Sequence, residues 1–188
     1  FSTYLYTGNG STQTITNGIA LSPAVVPSLT SFSLGGTDVE VDSEGNYFRV
    51  FSSQVAKYSS TGSFIWGKTL LSTSRFYQNI AVDSNDDVIV CQTDLGNSRL
   101  DVYKFSGSDG TLSWKKQYSN VGDRSSIGCF GTRIFIAGVA TNFYSFVIEI
   151  NSTNGSVVAS RYQSITYGSY NYDLAIDATN SLMYVTGY

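Results

Sequence analysis

The sequence predicts an all-β protein made of four-stranded antiparallel units repeated along the chain, and three observations predict it. The first is the stretch from Ile80 to Tyr118, which reads IAVDSNDDVIVC, a polar interval, and LDVYKFSGSDGTLSWKKQY. Ile80 and Val82 alternate into a turn of Asp, Ser and Asn, and Val88, Ile89 and Val90 lead out of it, which is the pattern of a hairpin. Leu100, Val102 and Tyr103 then enter Ser-Gly-Ser-Asp-Gly, where glycine tolerates positive φ, and Leu112 and Trp114 leave it. No connection here is long enough for a crossover helix, so the four strands are antiparallel. The second observation is recurrence. VEVDSEGNYFRV (Val39 to Val50) and VAKYSSTGSFIW (Val55 to Trp66) repeat the two halves upstream, and FVIEINSTNGSVVA (Phe146 to Ala159) and LAIDATNSLMYVTG (Leu174 to Gly187) repeat them downstream. The third is spacing. Asp42 to Asp83 is 41 residues and Asp83 to Asp177 is 94, two steps of 47, while the turn glycines Gly62, Gly110 and Gly155 fall at intervals of 48 and 45. A period of about 40 to 50 residues with four strands in each marks the blades of a β-propeller.

Taken in order, residues 1–34 stand apart from the repeat. Tyr4 to Tyr6 begin an extended run, Gly8-Asn9-Gly10 offers a turn, and Gln13 to Ile19 returns as a Thr- and Ile-rich strand. This predicts a β-hairpin arm, too short to be stable without something to lie against. Pro23 and Pro27 keep the backbone extended and Gly35-Gly36 loosens its end, which makes a connector with a boundary near Leu34. Residues 35–188 then carry three complete blades and the first two strands of a fourth. The copy at Ile127 to Ala137, IGCFGTRIFIA, has Gly131 where the others have aspartate. The half blade predicts a longer polypeptide, or alternatively a four-bladed ring completed by strands from Phe1 to Ser22. An unpaired blade edge requires a cover.

Composition excludes several function classes. The chain has 188 residues, 41% hydrophobic and 13% charged, with 18 glycines, 2 prolines and a net charge of −3. Its basic residues are scattered singly apart from Lys115-Lys116, so it lacks the electrostatic footprint of a nucleic-acid or anionic-membrane binder. No apolar run reaches the length of a membrane span. Histidine is absent, which removes the commonest general base, Ser-His-Asp and Cys-His dyads, and histidine-ligated metals. Paired carboxylates suit glycoside hydrolysis, but the acidic residues fall mostly in turns, where aspartate bonds its own backbone. Asp83-Ser-Asn85-Asp-Asp87 has the front half of a calcium loop without its glycine and distal glutamate, and reads as a hairpin turn. Cys91 and Cys129 lie on apolar strands of adjacent blades and read as buried free thiols. The expectation is no enzyme, no cofactor and no metal.

Two resemblances extend this reading. From Thr37 to Tyr188 the blades resemble β-propeller repeats of the SBBP type. That pattern is carried by Val41-Asp42 with Gly45-Asn46, by Ala81-Val82-Asp83, by Ile176-Asp177 with Tyr184-Val-Thr-Gly187, and by Lys57-Tyr58, Gly62 and Trp66. The segment YTGNGSTQ-ITNGI near the start resembles domains of tail and other virion proteins of marine bacteriophages, where a tryptophan-containing strand follows; here Pro23-Ala-Val-Val-Pro27 follows instead. The first resemblance implies an architecture and not an activity. The second implies a virion component whose arm docks to other virion proteins.

Connections between blades, and between second and third strands, emerge on one face of an antiparallel blade, opposite the hairpin turns. Those loops carry Arg75, Phe76, Tyr77, Arg99, Arg124, Phe143, Tyr144, Tyr167 and Tyr170, with Asn, Ser and Gly between them. Rigid aromatic contact beside adaptable polar groups is the chemistry of a binding face. The same composition also fits polar loops with aromatics tucked beneath them. The expectation is a non-enzymatic tail-fibre or tail-tip protein, located in the virion, within a homo-oligomer or larger assembly, binding a host-surface glycan or a neighbouring virion protein. The alternative is a secreted or surface-attached microbial adhesin or scaffold, followed by a glycan-cleaving propeller.

Overall fold

The computed structural model describes residues 38–51, 53–70, 76–141, 144–164, 171–177, 179 and 182–187. All lie in the unit Gly35–Tyr188; the expected arm and connector fall outside the described residues. Among these residues there are fourteen strands and no helix. Blade one is β1 (Asp38–Val41), β2 (Tyr47–Phe51), β3 (Gln54–Tyr58) and β4 (Phe64–Thr69). Blade two is β5 (Phe76–Val82), β6 (Val88–Asp94), β7 (Arg99–Phe105) and β8 (Leu112–Ser119). Blade three is β9 (Val121–Phe130), β10 (Arg133–Ala140), β11 (Tyr144–Asn151) and β12 (Val157–Ser164), and β13 (Asn171–Asp177) pairs with β14 (Leu182–Gly187). Each complete blade is an antiparallel meander in sequence order. The first strands pack on one another in succession, β1 on β5, β5 on β9 and β9 on β13, so the blades fan about the line of their inner strands.

The period-two alternation of each strand sends one set of side chains to the preceding blade and the other to the next. Phe48, Val50, Val55 and Trp66 of blade one meet Ile80, Val88, Val90, Tyr103 and Phe105 of blade two in one core. Ile89, Cys91, Leu100 and Val102, from the opposite face of blade two, meet Ile134, Ile136, Phe146, Ile148 and Ile150 of blade three in a second. Burying each of these side chains contributes about 1.5–3 kcal/mol, so the blades are held together mainly by these two layers.

A polar device repeats at the hairpin end. Asp42 accepts backbone hydrogen bonds from Glu44 (3.0 Å) and Asn46 (2.8 Å), and Asp83 from Asn85 (3.0 Å) and Asp87 (3.2 Å). The segment that resembles half a calcium loop is therefore a turn closed on its own backbone. Lysine from the third strand joins each aspartate, Lys57 to Asp42 at 2.8 Å and Lys104 to Asp83 at 2.6 Å. The same lysines reach forward to the next blade. Lys57 Nζ donates to the Gly107 carbonyl (2.8 Å), as does Trp66 Nε1 (3.1 Å). Lys104 Nζ donates to Ser152 Oγ (2.8 Å), and Trp114 Nε1 donates to the Ser152 carbonyl (2.8 Å). A lysine and a tryptophan of one blade thus clasp the outer turn of its successor. Each gripped turn is closed by a glycine at positive φ, Gly110 at 70° and Gly155 at 69°. A Cβ there would fall within 2.8 Å of the Trp66 ring or 2.9 Å of the Trp114 ring, so the turn needs glycine for conformation and for contact. The register shifts at the same place in all three blades, between Lys57 and Tyr58, Lys104 and Phe105, and Glu149 and Ile150, a bulge that bends the outer strand beside its turn.

Candidate functional site

The end opposite the hairpin turns carries the residues expected to bind a partner. Tyr77 stands opposite Thr93 near the start of β5, Arg99 opens β7, and Tyr144 opens β11 with 38% of its surface exposed. For Phe76 and Arg124 the backbone alone is described. It sets Phe76 opposite Asp94 and Arg124 beside the irregular register of β9. These five positions share one end of blades two and three. Arg75, Phe143, Tyr167 and Tyr170 lie outside the described residues.

This end is built to keep its shape. Val121 N donates to the Ser98 carbonyl (3.1 Å) and Thr141 N to the Asn120 carbonyl (3.1 Å). The crossing from blade two to blade three is thereby tied to the loops on either side. Ser98 and Asn120 hold positive φ values of 51° and 67°, uncommon for residues other than glycine and suited to tight connections. Asp94 caps its own loop, accepting from Gly96 N (3.1 Å), Asn97 N (3.3 Å) and Asn97 Nδ2 (2.8 Å). Beneath, Ser125 joins the two blades: its hydroxyl lies 2.9 Å from Thr93 Oγ1 and 3.3 Å from Cys91 Sγ.

Arg99 has an internal task that the sequence did not show. Its guanidinium meets Asp94 at 3.4 Å and Asp101 at 3.2 Å, and Asp101 is fully buried on β7. Gln117 Nε2 (3.1 Å) and Lys115 Nζ (3.5 Å) complete the surroundings of the Asp101 carboxylate. A buried carboxylate needs such partners, since an unpaired one is costly to desolvate. The expectation that acidic residues belong mostly to turns thus missed a strand aspartate that recruits Arg99 as counterion.

A second feature lies among the inner strands. A cavity of about 260 Å³ is lined by Glu40 of β1, Ala81 and Val82 of β5, Ile127, Gly128 and Cys129 of β9, and Leu174 and Ile176 of β13. Apart from one carboxyl and one thiol, the side chains around it are apolar, with backbone polar groups between them. Glu40 is exposed as a residue, and it is the partial desolvation of its carboxyl at the cavity, followed by the neighbouring Asp38, that pushes the group above its ordinary range. Burial pushes the Cys129 thiol up to about 12, which keeps it protonated at neutral pH and a weak nucleophile. Cys91, free like Cys129, is also raised to about 12 by burial. The cavity is absent from the sequence expectations. By register, the inner-strand position that carries Glu40 carries Ala81, Gly128 and Ala175 in the other blades, so one charge interrupts a row of small residues, whereas aligning Gly131 with the aspartates would put Cys129 there.

No family model matches the chain, and no curated protein matches it. Among solved structures it is similar to BamB from Moraxella catarrhalis, with 17% identity over 78% of this chain and 38% of that one and a TM-score of 0.56. It is similar to the WD40 domain of SCAP from fission yeast, with 12% identity, coverage of 90% and 40%, and a TM-score of 0.55. Raptor from Chaetomium thermophilum gives 8% identity, coverage of 83% and 15%, and a TM-score of 0.59. The chain spans less than half the length of each. At these identities the likeness shows the fold, a β-propeller of four-stranded blades, and stops short of the SBBP-type repeat and of any virion.

Proposed function

We propose that the chain is a non-enzymatic binding module that meets its partner with the loop end of its blades. The observation that carries this reading is the pair of backbone hydrogen bonds, Val121 to Ser98 and Thr141 to Asn120, that fix the loops of blades two and three beside exposed Tyr144. A surface held in place before contact loses little entropy on binding, and aromatic rings beside Asn, Ser and Arg suit the faces and hydroxyls of a sugar. The partner class is a cell-surface glycan, bound by shape and loop chemistry without turnover. The finer assignments, to SBBP-type repeats and to a bacteriophage tail, are supported by the repeat motifs and by the resemblance of residues 1–22.

The test replaces Arg75, Tyr77, Arg124 and Tyr144 together with alanine and measures binding to an array of bacterial surface polysaccharides beside Tm. The expected result is loss of glycan binding with Tm lowered by less than about 5 °C, the scale of about 1–2 kcal/mol in a chain of this size. No binding by the native chain, or a much larger fall in Tm, overturns the reading. Immunogold labelling of source particles tests the virion assignment, and unlabelled tails refute it.

A further inference from the structure

We propose that the cavity among the inner strands binds a small organic ammonium, its charge held by the Glu40 carboxylate and its apolar body by the surrounding side chains. The walls include Glu40 of β1, Ala81 and Val82 of β5, Ile127 of β9, and Leu174 and Ile176 of β13, around about 260 Å³. The room follows from the row of small residues. The position that holds Glu40 in blade one holds Ala81 in blade two and Gly128 in blade three, and of these three only Glu40 has a long side chain. The volume lies below the about 300–1,000 Å³ of pockets that take drug-sized molecules, which limits the occupant to a compact one.

Glu40 differs from the carboxylates that fasten the blades. Asp42 is joined by Lys57 and Asp83 by Lys104; among the described residues neither a lysine nor an arginine pairs with Glu40. Its neighbour Asp38 brings a second negative charge and is itself satisfied by backbone donors, Val39 N and Ile80 N, each at 2.9 Å. The Cys129 thiol, held protonated by burial, adds no charge. The cavity therefore sets uncompensated negative charge beside apolar side chains. Opposite charges attract about fourfold more strongly at such a partly desolvated site than in water, and an ammonium supplies the counterion that Glu40 lacks.

The same features decide against other occupants. A calcium ion takes about six to eight oxygen ligands, and one carboxylate set among apolar side chains falls short of that. An organic acid would bring a third carboxyl beside Asp38 and Glu40, which like-charge repulsion disfavours. An uncharged apolar molecule would leave Glu40 further desolvated and still unpaired. A primary ammonium on a ring or a short branched chain suits both parts of the wall. It offers three N–H donors to Glu40 and hydrocarbon to Val82, Ile127, Leu174 and Ile176.

The test uses the full chain with isotope-labelled methyl groups, titrated with benzylammonium and followed by NMR. The expected result is saturable shifts at the Ala81, Ile127 and Leu174 methyls with a Kd below about 10 mM, in keeping with a ligand of about eight heavy atoms. Benzyl alcohol, of the same size without the charge, is expected to bind at least about tenfold more weakly, the scale of one charge-assisted hydrogen bond. Glu40→Gln is expected to weaken benzylammonium by a similar factor and to leave benzyl alcohol unchanged. If Glu40→Gln alters the fold by circular dichroism, the comparison of the two probes on the native chain decides alone. Absence of saturable shifts, shifts confined to other methyls, equal affinity for the two probes, or undiminished benzylammonium binding by a folded Glu40→Gln chain overturns the proposal.

Discussion

The interface between blades two and three and the interface between blade three and β13–β14 are built from equivalent strands and held differently. At the first, Lys104 and Trp114 leave blade two and grip Ser152, while Ser152 Oγ donates to Asp83 at 2.7 Å and Tyr118 OH donates to the Gly155 carbonyl at 2.8 Å. At the second, Glu149 and Ala159 stand where the lysine and tryptophan were, and Glu149 pairs with Arg133 of its own blade. What fastens this junction is close approach: a Cβ at Gly128 would lie 2.7 Å from Leu174 and 3.0 Å from Ile176. This propeller therefore contains both clasped and unclasped seams on the same strand framework, the difference lying in two side chains. Apolar packing suffices to seat a blade, and the buried ion pair ties adjacent blades at fixed points.

The two seams differ most at Lys104. Its side chain is 7% exposed and its ammonium touches Asp83 and Asp87, so Lys104→Met leaves a buried carboxylate without its counterion and is expected to cost about 3–5 kcal/mol. Denaturant unfolding followed by tryptophan fluorescence measures it, and a cost below about 1 kcal/mol would remove the clasp from the account of the interface.

Acid sharpens the same contrast. Burial alone would raise the Asp42 and Asp83 carboxyls, but hydrogen bonds from Lys57 and Asn46, and from Lys104 and Ser152, outweigh it and hold both below the ordinary carboxylate range. Their stabilisation is complete above about pH 4, the unfolded value, and is lost as pH falls through their depressed folded values. Tm is therefore expected to fall as pH drops below about 4, and to fall less in the Lys104→Met chain, where Asp83 is no longer held low. Parallel Tm curves for the two chains would show that the acid response lies elsewhere.

The smallest effect is expected at the unclasped seam. Arg133 is half exposed, and Glu149→Gln removes a surface pair worth about 0–1 kcal/mol. Tm should move by no more than about 4 °C; a loss comparable with that at Lys104 would make the two seams equivalent.

The sequence by itself determined the number and order of strands, the blade boundaries and the equivalence of Asp42 with Asp83, because period-two alternation and glycine-bearing turns are local properties. It also marked where the repeat breaks at Gly131 and which loops share an end, whereas the loss of the lysine at Glu149 emerged only from its register and its pairing with Arg133. It left Lys57 and Trp66 as members of one blade, since the carbonyl they grip at Gly107 is about forty to fifty residues away. It gave Arg99 to a partner without the buried Asp101 beside it, and it gave no reason to set Glu40 and Cys129 around one cavity. Those contacts follow from how adjacent blades stack and how inner strands converge, which is set by side-chain volume at non-local interfaces rather than by any pattern within a strand.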